Sequence, residues 1–457
     1  MAQVDSGLVV AQELDYKKIE ASHPSYELSR VLPMSGSQSV TISATSQIET
    51  MMELPAKVMN LSKSSLSFLL TPPVGIAGVV NWAAADTMAA ISTIELFTRS
   101  GVYLAQLNNV QNYVKIVRKA ETPFQDFECM DATGRLYKNG SLGYTFTEVP
   151  ATTIVSNAKR ADNTDSMPII ESRYLEVGTA AAATPLVYFH FPLSAFRNTI
   201  FSIDKDLFFG EILVLRILWG PGTKLGHTTT GSDVKNPTTG AAAVAADWKV
   251  SLLTLHTAIE RNPDVIKALV DKVNGPGFSM LCPYVFSYKH NLSSTSQNVS
   301  LKFNRGHGHT LRRIYHTTFH NTESSNTAYN CSNIAAAKVV SYYTMMDNTR
   351  LQQSDLATAA ATLTDWLYNR EHLRGSVILN SDVYQWNWMH IDDFGYAKAP
   401  ADEKAPVSME NLVAGLPLSS ERKWDFIATT ADNAHNHYTW AVCQRTLKIE
   451  KGVISLG

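Results

Sequence analysis

Four of the thirteen histidines crowd between positions 307 and 320: His307, His309, His316 and His320. Imidazole is a common transition-metal ligand and the side chain that titrates closest to neutrality. A metal site here would need an acidic or cysteine ligand at helical or hairpin spacing, and the stretch offers none. Arg312 and Arg313 lie inside it and would repel a cation. The segment therefore reads as a polar loop flanking a strand, its histidines solvated or at a subunit contact. His435 and His437 meet the same objection. Asp204 and Asp206 flank Lys205, and paired carboxylates can do acid/base work; their setting reads instead as a solvated helix end. Asp392 and Asp393 precede Phe394 and Gly395 and could offer oxygen to calcium, but the twelve-residue calcium-loop spacing is missing, so a turn is expected. Tyr384, Trp386 and Trp388, with Tyr438 and Trp440 further on, could stack sugars or bases. At alternate positions along a strand they fit a sandwich core better. The chain holds no G-x-S-x-G elbow, phosphate-binding G-x-x-x-x-G-K-[ST] loop or H-E-x-x-H pair. No catalytic, cofactor-binding or metal-binding residue is expected.

Composition narrows the classes further. The formal net charge is -2, 18% of residues are charged and 45% are hydrophobic. A salt-dependent grip on nucleic acid needs clustered cations, and no long Lys/Arg run is present, so strong direct nucleic-acid binding is not expected. A low charge fraction leaves neutral surface suited to self-association. Cys129, Cys282, Cys331 and Cys443 lie far apart without a C-x-x-C pair and read as free thiols of a reducing compartment. The first residues, MAQVDSGLVVAQELDYKK, lack the basic and apolar regions of a signal peptide, and no apolar run reaches membrane-spanning length. A soluble protein made inside the cell is the expectation.

The elements that must position these residues are mostly strands. Pro192–Gly220 is the organising stretch. Phe196, Ile200, Ile203 and Leu207 recur at helical spacing after Ser194, which predicts a helix laid on a core. Gly210 ends it, and the apolar run Ile212–Trp219 reads as a strand buried on both faces. These four apolar residues, Trp219, and the aromatic trio Tyr384, Trp386 and Trp388 are the expected structural or subunit-contact positions. Upstream, strands are expected near Val40–Met52 and Leu61–Leu70, a long loop over Val74–Ala90, and a hairpin over Ile91–Leu104 turning at Arg99-Ser100-Gly101. Val110, Tyr113, Val114 and Val117 line a short helix. Short strands in polar loops are expected over 131–184. Trp248–Ala258 reads as a strand, and Asn262-Pro263 opens an amphipathic helix with Ile266, Leu269, Val270 and Val273 on one face. Beyond Gly277 strands are expected at Ser279–Lys289, Asn298–Phe303, Leu311–Phe319, Val339–Met346, Ser376–Ile391, Trp424–Thr429 and His437–Ile449, with a helix near Leu363–His372.

At 457 residues the chain is long for one core, and roughly 200 residues per domain is the usual scale. Many short strands separated by turn signals indicate sandwiches or barrels. The expected division is an N-terminal arm over 1–30, a first sandwich over 31–260, a linker helix over 261–277 and a second sandwich over 278–457.

Several stretches carry a resemblance. IELFTRSGVYLAQLNNVQNYVKIVRKAET, FPLSAFRNTIFSIDKDLFFGEILVLRILW, NPDVIKALVDKV, LYNREHLRGSVILNSDVYQWNWMHIDDFG, GLPLSS and WDFIATT together cover about two thirds of residues 40–450. In pattern they resemble the double jelly-roll major capsid proteins of eukaryotic DNA viruses, in the smaller Polinton, adintovirus and virophage-like branch. The resemblance implies an all-β fold of two tandem eight-stranded jelly rolls with a few short helices in loops. It implies a pseudo-hexagonal homotrimer that tiles an icosahedral shell, with penton or minor capsid proteins as further partners. It implies a place in the virion after assembly inside the host cell, and no enzyme activity. Two other classes compete. One is a lectin-like glycan-binding spike. The other is a carbohydrate-active tandem sandwich, for which Asp392, Asp393, Glu421 and Asp425 are the available carboxylates.

Overall fold

The computed structural model describes residues 24–71, 79–82, 90–110, 113–114, 117, 187–222, 226–229, 242–243, 247–292, 296–303, 308–320, 339–352, 354–357, 390–394, 415–430 and 435–457. Strands of the first half are β1 (Tyr26–Val31), β2 (Val40–Ile42), β3 (Ile48–Leu54), β4 (Met59–Thr71), β5 (Val79–Trp82), β6 (Ile91–Thr98), β7 (Tyr103–Asn108), β8 (Val187–Pro192), β9 (Asp206–Leu207), β10 (Leu213–Trp219), β11 (Gly226–Thr229), β12 (Ala242–Ala243) and β13 (Trp248–Glu260). One sheet runs β1-β13-β4-β8, with β2 on β13 and β9 on β4; the facing sheet runs β3-β10-β6-β7; a small third sheet runs β12-β11-β5. All described pairings are antiparallel.

The apolar run at 213–219 forms because β10 is central. It pairs with β3 on one side and β6 on the other. Leu213, Leu215, Ile217 and Trp219 are buried on its inner face, but Arg216 and Leu218 on the other face are half-buried, so the expected burial on both faces is met on one face only. Arg216, its one charge, is explained by register. It lies opposite Glu95 of β6 with a 2.5 Å ion pair, and 3.7 Å from Glu49 of β3. Gln106 Nε2 donates to Glu95 Oε1 at 2.9 Å and extends this cross-strand ladder. Trp219 is buried, donates Nε1–H to Thr50 Oγ1 at 2.9 Å, and meets Phe68 of the facing sheet edge-on at 5.2 Å.

The stretch after β8 departs from expectation. No α-helix runs through 194–207; the chain makes two 3-10 turns, Leu193–Ala195 and Ile200–Ser202, and then the short β9. Asn198 takes a left-handed φ of 59° and Thr199 is extended at φ -127°, ψ 172°, which breaks any helix between them. Thr199 Oγ1 then donates to the carbonyl of Phe196 at 2.5 Å, a local bond that competes with helix formation. The apolar stripe serves the core all the same: Phe196, Ile200 and Leu207 are buried, and Ile203 packs against them. The first strand also shortens the expected arm, because residues 26–31 pair with β13; residues 1–23 lie outside the described set. Within the expected 74–90 loop, 79–82 form β5.

The hairpin turning at 99–101, the buried helical positions Val110, Tyr113, Val114 and Val117, and β13 follow the sequence pattern. The helix Pro263–Asn274 starts where Asn262 Oδ1 accepts the Asp264 N–H at 3.0 Å. Its apolar face is only half-covered, since Val273 is buried and Ile266, Leu269 and Val270 are intermediate.

The second half contains β14 (Phe278–Leu292), β15 (Ser296–Lys302), β16 (Thr310–His320), β17 (Val339–Met346), β18 (Thr349–Arg350), β19 (Leu356–Ala357), β20 (His390–Asp393), β21 (Leu416–Pro417), β22 (Lys423–Thr430), β23 (His435–Glu450) and β24 (Val453–Leu456). One sheet runs β14-β23-β16-β20, with β21 on β16 and β24 on β23; its partner runs β15-β22-β17-β18, with β19 on β17. Strand β24 has no counterpart among the expected elements. The expected short strands at 131–184, the helix near 363–372, most of the strand at 376–391, and Cys129 and Cys331 lie outside the described residues. Cys282 and Cys443 are free and buried, which raises the thiol of Cys282 to about 11 and that of Cys443 further still.

The two halves share a core. The β14-β23-β16-β20 sheet is covered on both faces, one against its partner sheet and the other against β7 and the helical residues Tyr113, Val114 and Val117. Tyr315, Ile391, Tyr438, Trp440 and Val442 join the first-half core rather than the second. Tyr113 meets Tyr315 edge-on at 6.4 Å and Trp440 at 5.9 Å. Hydrogen bonds cross the same seam: Trp440 Nε1 donates to the Asn108 carbonyl at 3.1 Å, and Arg445 Nη2 donates to the Tyr103 and Leu104 carbonyls at 2.9 and 2.8 Å.

Candidate functional site

Two of the histidines singled out by sequence, His316 and His437, meet inside the second sandwich. Strand side chains alternate between faces, so residues two apart share one face. On β16 that sets Ile314, His316 and Thr318 together, looking toward the partner sheet. Register does the rest: His316 lies opposite His390 and Ile314 opposite Asp392 on β20, while Thr318 lies opposite His437 on β23. Three histidines and one aspartate thus converge on a face whose other members are core apolar residues, and all four are fully buried.

The facing sheet supplies the partners. Asp392 Oδ1 accepts from Thr344 Oγ1 at 3.0 Å and from Gln352 Nε2 at 3.2 Å, and lies 3.0 Å from His390 Nε2. Asp392 Oδ2 accepts from Trp424 Nε1 at 2.8 Å. Gln352 is itself fixed, donating to Thr344 Oγ1 at 2.6 Å and accepting the Thr344 N–H at 2.7 Å. The Tyr342 hydroxyl contacts His390 Nδ1. His437 bonds Thr318 Oγ1 through Nδ1 at 3.1 Å and stacks on Phe426 at 4.1 Å. Burial, with the neighbouring histidines, pushes His316 and His437 well below the ordinary histidine range, so both are neutral.

This placement corrects three expectations. His316 and His437 are neither solvated nor in a polar loop. Asp392 and Asp393 are not a turn but the end of β20. Arg313 does not repel a cation from the cluster, because it is bound to Asp393 at 2.7 Å and to the Tyr315 hydroxyl at 3.0 Å. His309 is buried outside this group and stacks on Phe286 at 5.5 Å. His307 lies outside the described residues, as do the side chains of His320 and His435. Tyr342, Gln352, Trp424 and His390 were not singled out by sequence; the only local signal was the i, i+2 pair His390 and Asp392.

The other candidates stay separate. Asp204 and Asp206 gather around Asn60, whose Nδ2 lies 2.9 Å from Asp204 Oδ1 and 3.3 Å from Asp206 Oδ1. Tyr26 donates to Asp206 at 2.7 Å, tying β1 to β9. Partial burial opposes ionisation of Asp204, but Asn60 and the Lys63 ammonium outweigh it and lower its carboxyl. That is a surface clasp between strands, at a strand end and not a helix end. For glycoside hydrolysis two carboxyls must flank a bond with room for water. Among the described residues Asp392 and Asp425 are fully buried, Asp393 is paired with Arg313, and Glu421 is exposed. They do not form such a cleft. Phe196, Ile200, Leu207 and Trp219 sit in the first-half core, with Ile203 partly buried against it; Tyr384, Trp386 and Trp388 lie outside the described residues.

No protein-family model and no curated protein sequence matches the chain. Solved structures do. The PBCV-1 virus capsid is similar with a TM-score of 0.52 at 9% identity, over 97% of this chain and 99% of that one. The Sputnik virophage structure gives a TM-score of 0.52 at 10% identity, over 98% of this chain and 92% of that one. The likeness covers both sandwiches in their order along the chain, and the fold is therefore the double jelly roll of these viral structures.

Proposed function

We propose that this chain is the major capsid protein of an icosahedral DNA virus, acting as a homotrimer in which six jelly rolls surround a three-fold axis and present a pseudo-hexagonal outline. The observation that carries this reading is the pairing of two like sandwiches through a buried seam in one chain, with whole-length likeness to a viral capsid. A rigid two-roll unit is what closed tiling requires: many modest contacts between copies become stable only if each unit keeps its angle. Residues 1–25 are assigned as an arm that engages a neighbour, 26–260 and 278–457 as the two rolls, and 261–277 as their linker. Penton or minor capsid proteins are the remaining partners; assembly takes place inside the host cell, and the chain makes no strong direct contact with nucleic acid.

Light scattering on the purified protein, with imaging of the same peak, tests this. The expected result is a particle of about 150 kDa, three times the 50.3 kDa chain, or shells with pseudo-hexagonal facets. A monomer that persists at high concentration and across salt overturns it. Deleting residues 1–23 should leave the trimer and impair shells; loss of the trimer refutes the assignment of the arm.

A further inference from the structure

We propose that the polar centre of the second jelly roll is a structural metal site, in which His316, His390 and Asp392 bind one zinc-type divalent ion and His437 completes a four-coordinate set. The inference is independent of the capsid reading.

Geometry is the first support. One ligand atom each from His316, His390 and Asp392 all lie within 4.8 Å of one another, and His390 Nε2 is already 3.0 Å from Asp392 Oδ1. Zinc bonds of about 2.0–2.2 Å at tetrahedral angles place ligand atoms about 3.4 Å apart. Side-chain shifts of about an ångström therefore close the set. The His437 ring lies 5.1 Å from that of His316, and its Nε2 is buried without a hydrogen-bond partner.

Charge is the second. Asp392 is fully buried, and its hydrogen-bonding neighbours Thr344, Gln352, Trp424 and His390 carry no fixed positive charge. A buried carboxylate normally calls for a cation. The nearby guanidinium of Arg313 is already paired with Asp393. A divalent ion among neutral imidazoles supplies the missing charge.

The outer ring is the third. Metal-bound carboxylates and imidazoles are held by further hydrogen bonds that fix their orientation. Trp424, Thr344 and Gln352 fix Asp392, and the Tyr342 hydroxyl fixes His390 through the nitrogen that would not face the metal. The nitrogen and oxygen donor set without sulfur, in a closed site, fits zinc better than magnesium, which keeps its waters. The ion would join β16, β20 and β23 directly and reach β17 and β22 through the outer ring. With every ligand buried, uptake accompanies folding.

The full-length protein, expressed in zinc-supplemented medium and desalted, should carry about one zinc per chain by elemental analysis. Refolding in zinc rather than chelator should raise the melting temperature, by about 4 °C when zinc is a thousandfold above its dissociation constant. His316→Gln and Asp392→Asn should each lose the metal, while His256→Ala, in the first roll against Ser67, keeps it. Should the first two fail to fold, wild-type protein refolded with cobalt decides. The intense visible bands of four-coordinate cobalt support the site, and only weak six-coordinate bands overturn it. Folded wild type with less than about a tenth of an equivalent of zinc from both preparations also overturns it. So does metal retained in His316→Gln.

Discussion

Replacing Trp440 tests whether the two rolls are one folding unit. The indole is fully buried between Tyr113 and Tyr438, with ring centres at 5.9 and 6.0 Å, and its N–H is held by the Asn108 carbonyl. Truncation of a buried tryptophan to alanine costs about 3–5 kcal/mol. Leaving the Asn108 carbonyl without its donor adds about 1–3 kcal/mol, so Trp440→Ala should lose about 4–8 kcal/mol in all. Trp440→Phe keeps most of the ring and loses the donor, and should cost about 1–3 kcal/mol. For a chain of 457 residues the unfolding entropy is about 1 kcal/mol per degree, so the alanine variant should melt about 4–8 °C lower. Scanning calorimetry at one fixed protein concentration is the assay, since self-association shifts melting by mass action. Wild type should unfold in one transition spanning both rolls, and Trp440→Ala should split or broaden it. The reasoning fails if wild type already melts in two independent steps, or if Trp440→Ala shifts melting by less than about 1 °C.

Three further outcomes follow from single contacts. Burial, with the Arg445 guanidinium, lowers His309 to about 4. At His309 the unfolded chain takes up a proton below about pH 6.5 that the folded chain refuses, so this residue's share of stability falls between pH 6.5 and 4 and levels off below, while His316 and His437, held well below the ordinary range, add a fall of their own. The slope is at most about 1.4 kcal/mol per pH unit, less whatever solvent screening allows, and urea titrations of His309→Gln should show that limb flattened. Gly210 has φ +74° and its added Cβ would stand 2.9 Å from the Cα of Gly452, backbone against backbone between the two halves. Gly210→Ala should therefore cost about 2–4 kcal/mol, against about 1 kcal/mol for Gly452→Ala, whose Cβ meets open space; chemical denaturation compares them. Arg313→Met removes the ion pair of the nearly buried Asp393 and should lose about 3–5 kcal/mol, most of it restored in the Arg313→Met/Asp393→Leu double variant.

Periodicity carried the fold because local alternation reflects burial directly. The run 213–219 could be read as a strand without knowing that β3 and β6 flank it, although its Arg216–Leu218 face is only half-covered. The hairpin at 91–108 and the Asn262-capped helix were legible for the same local reasons. Residues 194–207 misled because a stripe at spacings of four, three and four fits any compact turn sequence that packs one side. The competing signal was Asn198 and Thr199, residues that bond their own backbone. The histidine–aspartate centre was only half visible. His316 announced itself, but its acidic partner comes from Asp392, brought alongside by strand register rather than sequence spacing. Rules for metal spacing on a hairpin or helix do not reach a partner that a sheet supplies from so far along the chain. Arg313 seemed to forbid a cation for a related reason: strand alternation sends it to the opposite face from His316, where Asp393 binds it.

That same alternation explains how one sheet can serve two purposes. On β23, His437, Thr439 and Ala441 turn into the second roll, while Tyr438, Trp440 and Val442 turn toward the first. A sheet with one wet face would let the two rolls swing about the Pro263–Asn274 helix, whose own apolar face is only partly covered. Because both faces are dry, the angle between rolls is set by packing and not by the linker. Close packing tolerates small changes in volume poorly, so that angle resists drift. The polar centre lies on one side of this sheet and the aromatic seam on the other, and β16 and β23 contribute to both. Anything that loosens the histidine–aspartate centre should thus be felt at Trp440, and through it in the angle between the two rolls.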